Sequence, residues 1–172
     1  MFDCAYQNHN LVLFLCVAIA ACGATTAALP DNLTITAVLA GKCTSATAMD
    51  VAMKSGPCTD KIIQVELPNQ RLGFTFFLRR EGEKNSGTFF AFWGDGSKQL
   101  HLNPDTAMQP IDRVDFFFQG STDHLVAAGS CRFSNPYKGV PAQVSCSADT
   151  NEGKFTGEFI SDGRPPDMTQ TR

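Results

Sequence analysis

Positive charge is scarce in this chain and is nowhere concentrated. The 14 lysines and arginines are outnumbered by 17 acids, which gives a net charge of −3 at pH 7. A nucleic-acid interface needs clustered lysine and arginine to neutralise phosphates. The composition therefore excludes nucleic acid from the expected partners.

The motifs of catalysis and metal binding are also missing. The sequence has no Cys-x-x-Cys pair, which thiol-exchange enzymes and zinc knuckles normally carry. It also lacks the Gly-x-Ser-x-Gly elbow of the serine hydrolases. We therefore expect a protein without enzyme activity, metal or cofactor. A hydrolase that uses His101 or His124 is the remaining catalytic alternative.

The N-terminal apolar run is too short to cross a membrane. Residues 11–21 (LVLFLCVAIAA) are eleven apolar residues, whereas a transmembrane helix needs about 20. Their length fits the core of an export signal, although no lysine or arginine precedes them as is usual. We predict an export signal over residues 1–28. Alternatively, the sequence Ile-Ala-Ala-Cys that ends at Cys22 resembles the bacterial lipobox, in which case Cys22 is lipidated and tethers the protein to a membrane.

The seven cysteines divide into three within the N-terminal segment and four beyond it. The four are Cys43, Cys58, Cys131 and Cys146, and they form two pairs with the same separation of fifteen positions. An even set of cysteines behind an export signal predicts two disulfides formed in an oxidising compartment. We therefore expect an exported protein of the bacterial periplasm, the outer membrane surface or the extracellular space.

Short segments of alternating apolar and polar residues recur along the rest of the chain, separated by Gly, Pro, Asn and Asp. This pattern predicts an all-β protein, an antiparallel sandwich or flattened barrel of about eight or nine strands. We expect one β domain over residues 29–161, a turn or two of helix within residues 46–54, and a flexible tail over residues 162–172. The predicted strands lie near residues 33–40, 61–67, 71–80, 88–93, 98–102, 111–118, 125–133, 140–148 and 154–161.

Two hairpins can be placed at the level of single residues. A turn at Lys138-Gly139 sets Cys131 directly opposite Cys146, close enough for a disulfide. Cys43 and Cys58 would then close the loop between the first two strands; the crossed pairings stay open but lack this geometry. The dipeptide Asp95-Gly96 predicts a two-residue turn that pairs residues 88–93 with residues 98–102.

Phenylalanine is the one residue type in marked excess, with 14 copies. Pairs and triplets of phenylalanine place rings on both faces of their strands, whereas a half-exposed sheet alternates apolar and polar residues. One face must be core. The candidate binding patch on the second face consists of Phe77, Phe90, Phe92, Phe117 and His101. The alternative is that the second face is buried as well.

These features favour an exported binding or structural module that has no catalytic activity. Its expected partner is an envelope or extracellular macromolecule or an apolar ligand, and it would reach a membrane only through a signal or lipid anchor. An inhibitor of an extracellular hydrolase, such as a lysozyme or protease, is one alternative, with Tyr137 and Lys138 at the tip of a contact loop over residues 134–139. A small carrier of hydrophobic ligands is another, and it requires the aromatic face to line a cavity.

Overall fold

The computed structural model describes residues 33–49, 58–78 and 87–171. The predicted export signal, Cys22 and most of the predicted helical segment lie outside these ranges. The described chain forms ten β-strands and one turn of 3₁₀ helix, so the predicted all-β class is confirmed. Within these ranges, no helix is long and apolar enough to cross a membrane. The strands are β1 (Thr34–Thr47), β2 (Lys61–Glu66), β3 (Arg71–Leu78), β4 (Thr88–Asp95), β5 (Leu100–Asn103), β6 (Thr106–Phe118), β7 (Ser121–Ser134), β8 (Gln143–Thr150), β9 (Gly153–Ser161) and β10 (Asp167–Thr171), and the 3₁₀ helix is Gly96–Lys98.

Eight of the strands form a closed antiparallel barrel. Their order is β1-β2-β3-β4-β6-β7-β8-β9, and β9 pairs with β1 to complete the circle. The two extra strands pair with one neighbour each, β5 with β6 and β10 with β1. Of the two predicted architectures, the barrel is therefore the correct one. Closure satisfies the backbone groups that an open sheet leaves unpaired at its edges.

Strand β1 closes the barrel by changing partner along its length. Residues 35–40 pair with β2 and residues 41–47 pair with β9, with a register shift between Cys43 and Ser45. The sequence predicted helical turns from residue 46, but this part of the chain continues the strand as far as Thr47. The edge of β9 offers these residues backbone partners, which outweigh a weak local preference for helix.

The C-terminal residues do not form the flexible tail that the sequence predicted. Residues 167–171 form β10, which runs antiparallel to residues 34–38 of β1. Because β9 ends at Ser161, the backbone of β10 supplies the hydrogen-bonding partners that this part of β1 needs. The prediction was wrong because every side chain of β10 is exposed, so the strand carries no hydrophobic alternation.

Both predicted disulfides are present. Cys131 lies directly opposite Cys146 in the β7–β8 ladder, with 4.0 Å between their Cα atoms, and both side chains are buried. Cys43 of β1 is bonded to Cys58, just before β2, with a Cα separation of 5.6 Å. The register confirms the predicted centre of the β7–β8 hairpin. The two strands stop short of it, however, and leave a loop over residues 135–142.

Phenylalanine rings fill the middle of the barrel. Phe76 stacks on Phe90 with 5.6 Å between ring centroids and meets Phe92 edge-on at 5.9 Å. A Cβ atom on Gly157 would lie 2.5 Å from the Phe76 ring, so only glycine leaves room for it. Burial of each ring contributes roughly 1.5–3 kcal/mol. The buried rings are Phe74, Phe76, Phe90, Phe92, Phe116, Phe155 and Phe159.

Asp95-Gly96 does not form the predicted two-residue turn. Asp95 caps the 3₁₀ helix instead, and β4 pairs with β6 rather than with β5. Strand β6 is 13 residues long, so it pairs with β5 near its start and with β4 near its end. A local turn signal was outweighed here by a long-range ladder that brings Phe89 beside Phe117.

One buried polar side chain lies beside the end of the β4–β6 ladder. Their ladder ends at the pair Trp93 and Arg113, and Gln109 occupies the space beyond it. Its Nε2 atom donates to the carbonyl oxygens of Asp95 at 2.8 Å and of Pro110 at 3.0 Å. Gln109 is fully buried, and its Nε2 serves two backbone carbonyl groups, while its Oε1 has no hydrogen-bond partner within the described residues.

Removing either disulfide should lower stability by a similar amount, because both bonds join cysteines with a sequence separation of 15. The chain-entropy model assigns roughly 3 kcal/mol to a loop of this length. We expect the double variants Cys43→Ala/Cys58→Ala and Cys131→Ala/Cys146→Ala each to lose about 3 kcal/mol of unfolding free energy in urea. A loss confined to one pair would contradict the loop-closure argument.

The substitution Gln109→Leu should destabilise the barrel by about 1 kcal/mol, because two part-buried carbonyl groups lose their donor while the volume is kept, and removal of the unpartnered Oε1 offsets part of this cost. Thermal unfolding would show this as a lower Tm. The matched control is Gln143→Leu, at an exposed position of β8, which should unfold close to the unmodified protein. Equal Tm values for the two variants would show that the Gln109 hydrogen bonds do not stabilise the strands.

Candidate functional site

A cleft opens at one end of the barrel, where β5, β10 and the loop over residues 135–142 lie. We call this end the open end and this loop the cleft loop. The cleft has a volume of about 250 Å³. Phe133 lies at its base and contacts Phe74 of the core, with 5.0 Å between ring centroids, so the cleft ends on the phenylalanine core. Four strands supply the apolar floor, which consists of Leu39, Ala107, Phe133 and Val144.

Polar side chains line the walls above this floor. They include the side-chain amides of Gln64, Gln99 and Asn135, the imidazole of His101 and the phenol of Tyr137. In their neutral forms all of these groups can donate or accept hydrogen bonds without carrying a charge. The cleft can therefore hold an apolar group at its base and a polar group at its mouth.

The cleft loop is held by contacts with the β5–β6 turn and with β10. The Asn135 amide donates to the Asp105 carbonyl oxygen at 2.9 Å, and the Lys138 Nζ lies 2.6 Å from the Asp105 carboxylate. The Asn135 side chain accepts the Tyr137 amide at 2.9 Å, and the Tyr137 hydroxyl donates to the Met168 sulfur at 3.4 Å. The loop therefore presents Tyr137, which is 59% exposed, in a defined position.

Exposed apolar side chains gather around the open end. Among the described residues, two large apolar side chains are exposed elsewhere, Val126 on β7 and Ile160 on β9. Exposed apolar surface beside a preformed cleft is typical of a binding surface. The members of this group, contributed by β5, the cleft loop and β10, are Leu100, Leu102, Tyr137, Val140 and Met168.

The structure separates the five residues of the predicted binding patch. Phe90 and Phe92 point into the barrel and are 0% exposed, so they belong to the core. Phe77 and Phe117 lie on the outer wall, and His101 lines the cleft. The predicted patch was wrong because rings occupy both faces of β4, and alternation alone cannot show which face is inward.

Phe77 and Phe117 form a row on the outer wall together with a residue that the predicted patch did not include. Phe89 lies between them, with centroid distances of 5.8 Å to Phe77 and 4.9 Å to Phe117. All three rings are half-buried. Beside the row, the guanidinium of Arg113 lies 5.6 Å from the centre of the Trp93 ring. Contacts across three adjacent strands thus cover much of the aromatic surface.

His124 is paired with a carboxylate, but on the outer wall of the barrel. Its Nδ1 lies 2.7 Å from Asp115 Oδ1, and Arg113 donates to the other oxygen of the same carboxylate at 3.2 Å. A catalytic pair also needs a nucleophile and an enclosed space for the substrate. The His124 side chain is 63% exposed, so it does not lie in an enclosed space. Within the described ranges, no group of three or more His, Cys, Asp or Glu side chains could hold a metal ion.

His101 and Tyr137, which the sequence analysis named as candidate site residues, both line the cleft. Lys138 lies beside them in an ion pair with Asp105. Sequence reasoning missed the floor of the cleft and Gln64. The sequence did contain one signal for Gln64. This residue shares the inward face of β2 with the buried Ile62, and a polar side chain on an inward face usually needs a hydrogen-bond partner.

Asp95, at the start of the 3₁₀ helix, has a displaced pKa. Two hydrogen bonds from Ser97, one from its hydroxyl at 2.6 Å and one from its amide at 3.0 Å, lower the pKa of Asp95 below the ordinary 3.8. Lys98 adds a smaller effect of the same sign from 3.6 Å. The charged carboxylate thus fixes the helix that leads into Gln99 and the wall of the cleft.

The Asp95 carboxylate should make stability depend on acidity. Because its pKa is lower in the folded state, its contribution is present above the ordinary pKa of 3.8 and is lost as the pH falls through the folded-state value. We expect Asp95→Asn to be less stable than the unmodified protein at neutral pH, with the difference shrinking in acid. Urea unfolding at several pH values checks this, with Asp123→Asn, an exposed acid of β7, as the control. A pH-independent difference would contradict the assignment.

The cleft, its anchored loop and the exposed apolar side chains meet at the open end and form the candidate site. They come from segments far apart in the sequence, so the shape of the site depends on the closed barrel. The chain matched no protein-family model, no curated protein and no solved structure.

Proposed function

We propose that the protein is a non-catalytic, exported binding module and that the open end of the barrel is its binding surface. One observation carries this proposal. Phenylalanine rings fill the middle of the barrel, but at the open end a cleft of about 250 Å³ exposes an apolar floor beneath polar walls. Concave sites of mixed character are the usual places for ligands in proteins.

Export is supported by the two disulfides, which are typical of proteins that mature in an oxidising compartment. The predicted signal over residues 1–28 agrees with this. The proposed location is the bacterial periplasm, the outer membrane surface or the extracellular space, with lipidation of Cys22 as one route to a membrane. The proposed partner is an envelope or extracellular macromolecule or an apolar ligand.

A carrier that encloses a large hydrophobic ligand has less support. That function requires the inward phenylalanines to line a cavity, but Phe90 and Phe92 pack against other rings at 5.4–5.6 Å. The cleft of about 250 Å³ is also smaller than the ~300–1,000 Å³ that drug-sized ligands occupy. The open end therefore suits a small ligand, or one group of a larger partner.

The non-catalytic part of the proposal is supported by the surroundings of the two histidines. His101 lines the cleft, but the carboxylate of Asp105 in the same cleft is paired with Lys138. His124 is paired with Asp115 on the open outer wall. General-base catalysis by a histidine is favoured by an enclosed position together with a free carboxylate partner. Neither histidine has both.

Inhibition of an extracellular hydrolase is a second candidate, favoured by the cleft loop. An exposed loop held in one conformation loses little entropy on binding, which favours tight association with an enzyme. Tyr137 would be its leading contact, because the Lys138 ammonium is already paired with Asp105 at 2.6 Å. The sequence-based expectation was that Tyr137 and Lys138 together form the tip of the contact loop.

A photo-crosslinking side chain placed at Leu102 should capture the ligand or partner in the organism that makes the protein. The same side chain at Val126, on the outer wall, should capture nothing specific. Leu102 is 47% exposed and Val126 is 83% exposed, so accessibility alone would favour the control position. We expect one defined product from Leu102, and we expect Tyr137→Ala to weaken its formation.

Specific capture from Val126 but not from Leu102 would overturn the proposal. If the captured partner is a lysozyme or protease, and the purified protein blocks its activity, the function is inhibition of an extracellular hydrolase. In that case Tyr137→Ala should also relieve the inhibition, which a role of this residue in folding alone would not explain if the variant keeps its Tm.

A further inference from the structure

We infer that the cleft selects a small, uncharged molecule or chemical group with an apolar end and an amide or hydroxyl head. This inference rests on the proposal that the open end is the binding surface. It adds the chemical class of the ligand, which follows from the charges, hydrogen-bonding groups and volume of the cleft.

The floor of the cleft excludes charge. Leu39, Ala107 and Val144 are buried against the core and offer no hydrogen-bonding side chain. Phe133 adds an aromatic ring at the base. A charged group seated there would lose its water without gaining a partner, which is strongly unfavourable, whereas an apolar ring or branched chain would gain contacts.

The walls offer no free counter-charge. Within the described part of the chain, the one carboxylate that lines the cleft belongs to Asp105, and the Lys138 ammonium pairs with it at 2.6 Å. No lysine or arginine of the described residues lines the cleft. An anionic ligand would therefore find no free cation there. A cationic ligand would have to compete with Lys138 for Asp105, but this ion pair is exposed and contributes little, so the charge selectivity rests mainly on the apolar floor.

Two glutamines supply the hydrogen bonds for a neutral head group. Gln64 of β2 and Gln99, which follows the 3₁₀ helix, both line the cleft, and both also border a neighbouring cavity of about 210 Å³. No hydrogen bond within the described part of the chain engages either side-chain amide. This contrasts with Gln109, whose amide is used within the fold. A free primary amide donates and accepts at once, so it complements another amide or a hydroxyl.

The volume limits the size of the ligand. A cleft of about 250 Å³ lies below the range of drug-sized sites and suits roughly one six-membered ring with a short substituent. Tyr137 lines the cleft and is exposed, so a larger molecule could insert one such group and contact Tyr137 outside the cleft.

Benzamide, benzoate and benzylamine form a matched set of probes, since each carries one ring and they differ in charge. We expect benzamide to shift the backbone NMR signals of Ala107 and Val144 saturably at millimolar concentration near pH 7.5. Benzoate and benzylammonium should bind about tenfold more weakly or not at all, because neither charge is compensated in the cleft.

The glutamines can be tested separately from the charge selectivity. Gln64→Leu and Gln99→Leu should each weaken benzamide binding about five- to tenfold, because each removes one hydrogen-bonding group while keeping its bulk. The matched control, Gln143→Leu on the outer face of β8, should leave benzamide affinity unchanged. Unchanged affinity in both cleft variants would overturn the role of the amides.

Equal binding of all three probes in the cleft would overturn selection for a neutral ligand but would leave the open end as the binding surface. Absence of binding by all three, or shifts confined to the outer wall, would overturn the ligand class. The crosslinking result at Leu102 decides the proposed function independently, because it requires no assumption about the chemistry of the partner.

Discussion

The pairing of β1 with both β2 and β9 is the constraint on which the rest of the structure depends. It joins the first and last strands of an antiparallel meander, so a sheet that would have two free edges becomes a closed barrel with an inside and an outside. The inside is then defined for every strand at once, and each phenylalanine is assigned to the core or to the wall. The two disulfides reinforce this closure, one at β1 and one between β7 and β8.

The core in turn decides where a ligand can bind. Rings from β3, β4, β6 and β9 pack edge-on and face-on through the middle of the barrel, and this leaves no room for a ligand there. At the open end the inward positions carry smaller side chains, such as Ala107 and Val144, and the cleft begins where the rings stop. The walls of the cleft come partly from elements outside the eight-stranded barrel, namely β5, the cleft loop and Pro166 before β10, and partly from Gln64 of β2. The result is a filled barrel with a shallow cleft at this end.

Much of the fold could be predicted from local pattern, because strand periodicity, turn residues and cysteine spacing are all short-range signals. All nine predicted strands are present, and the register that sets Cys131 opposite Cys146 is correct. The errors lie where a long-range pairing outweighs a local signal or where the local signal is absent. Asp95-Gly96 favours a tight turn, but the long strand β6 takes β4 as its partner. The exposed strand β10 has no hydrophobic alternation to reveal it. The candidate site was predicted only in part, through His101 and Tyr137, since its floor and amide walls come from strands far apart in the sequence.

The sequence by itself determined the all-β class, the two disulfides and the dominance of phenylalanine in the core, because each depends on residue type and on spacing along the chain. Only the tertiary structure decided which face of β4 is inward, where the aromatic rings outside the core lie, and that a cleft exists at one end. The physical reason is that both faces of β4 are apolar, so local hydrophobicity gives the two orientations nearly equal energy. Closure of the barrel removes that ambiguity, since Phe90 and Phe92 must pack with Phe76 once β3 and β6 flank β4.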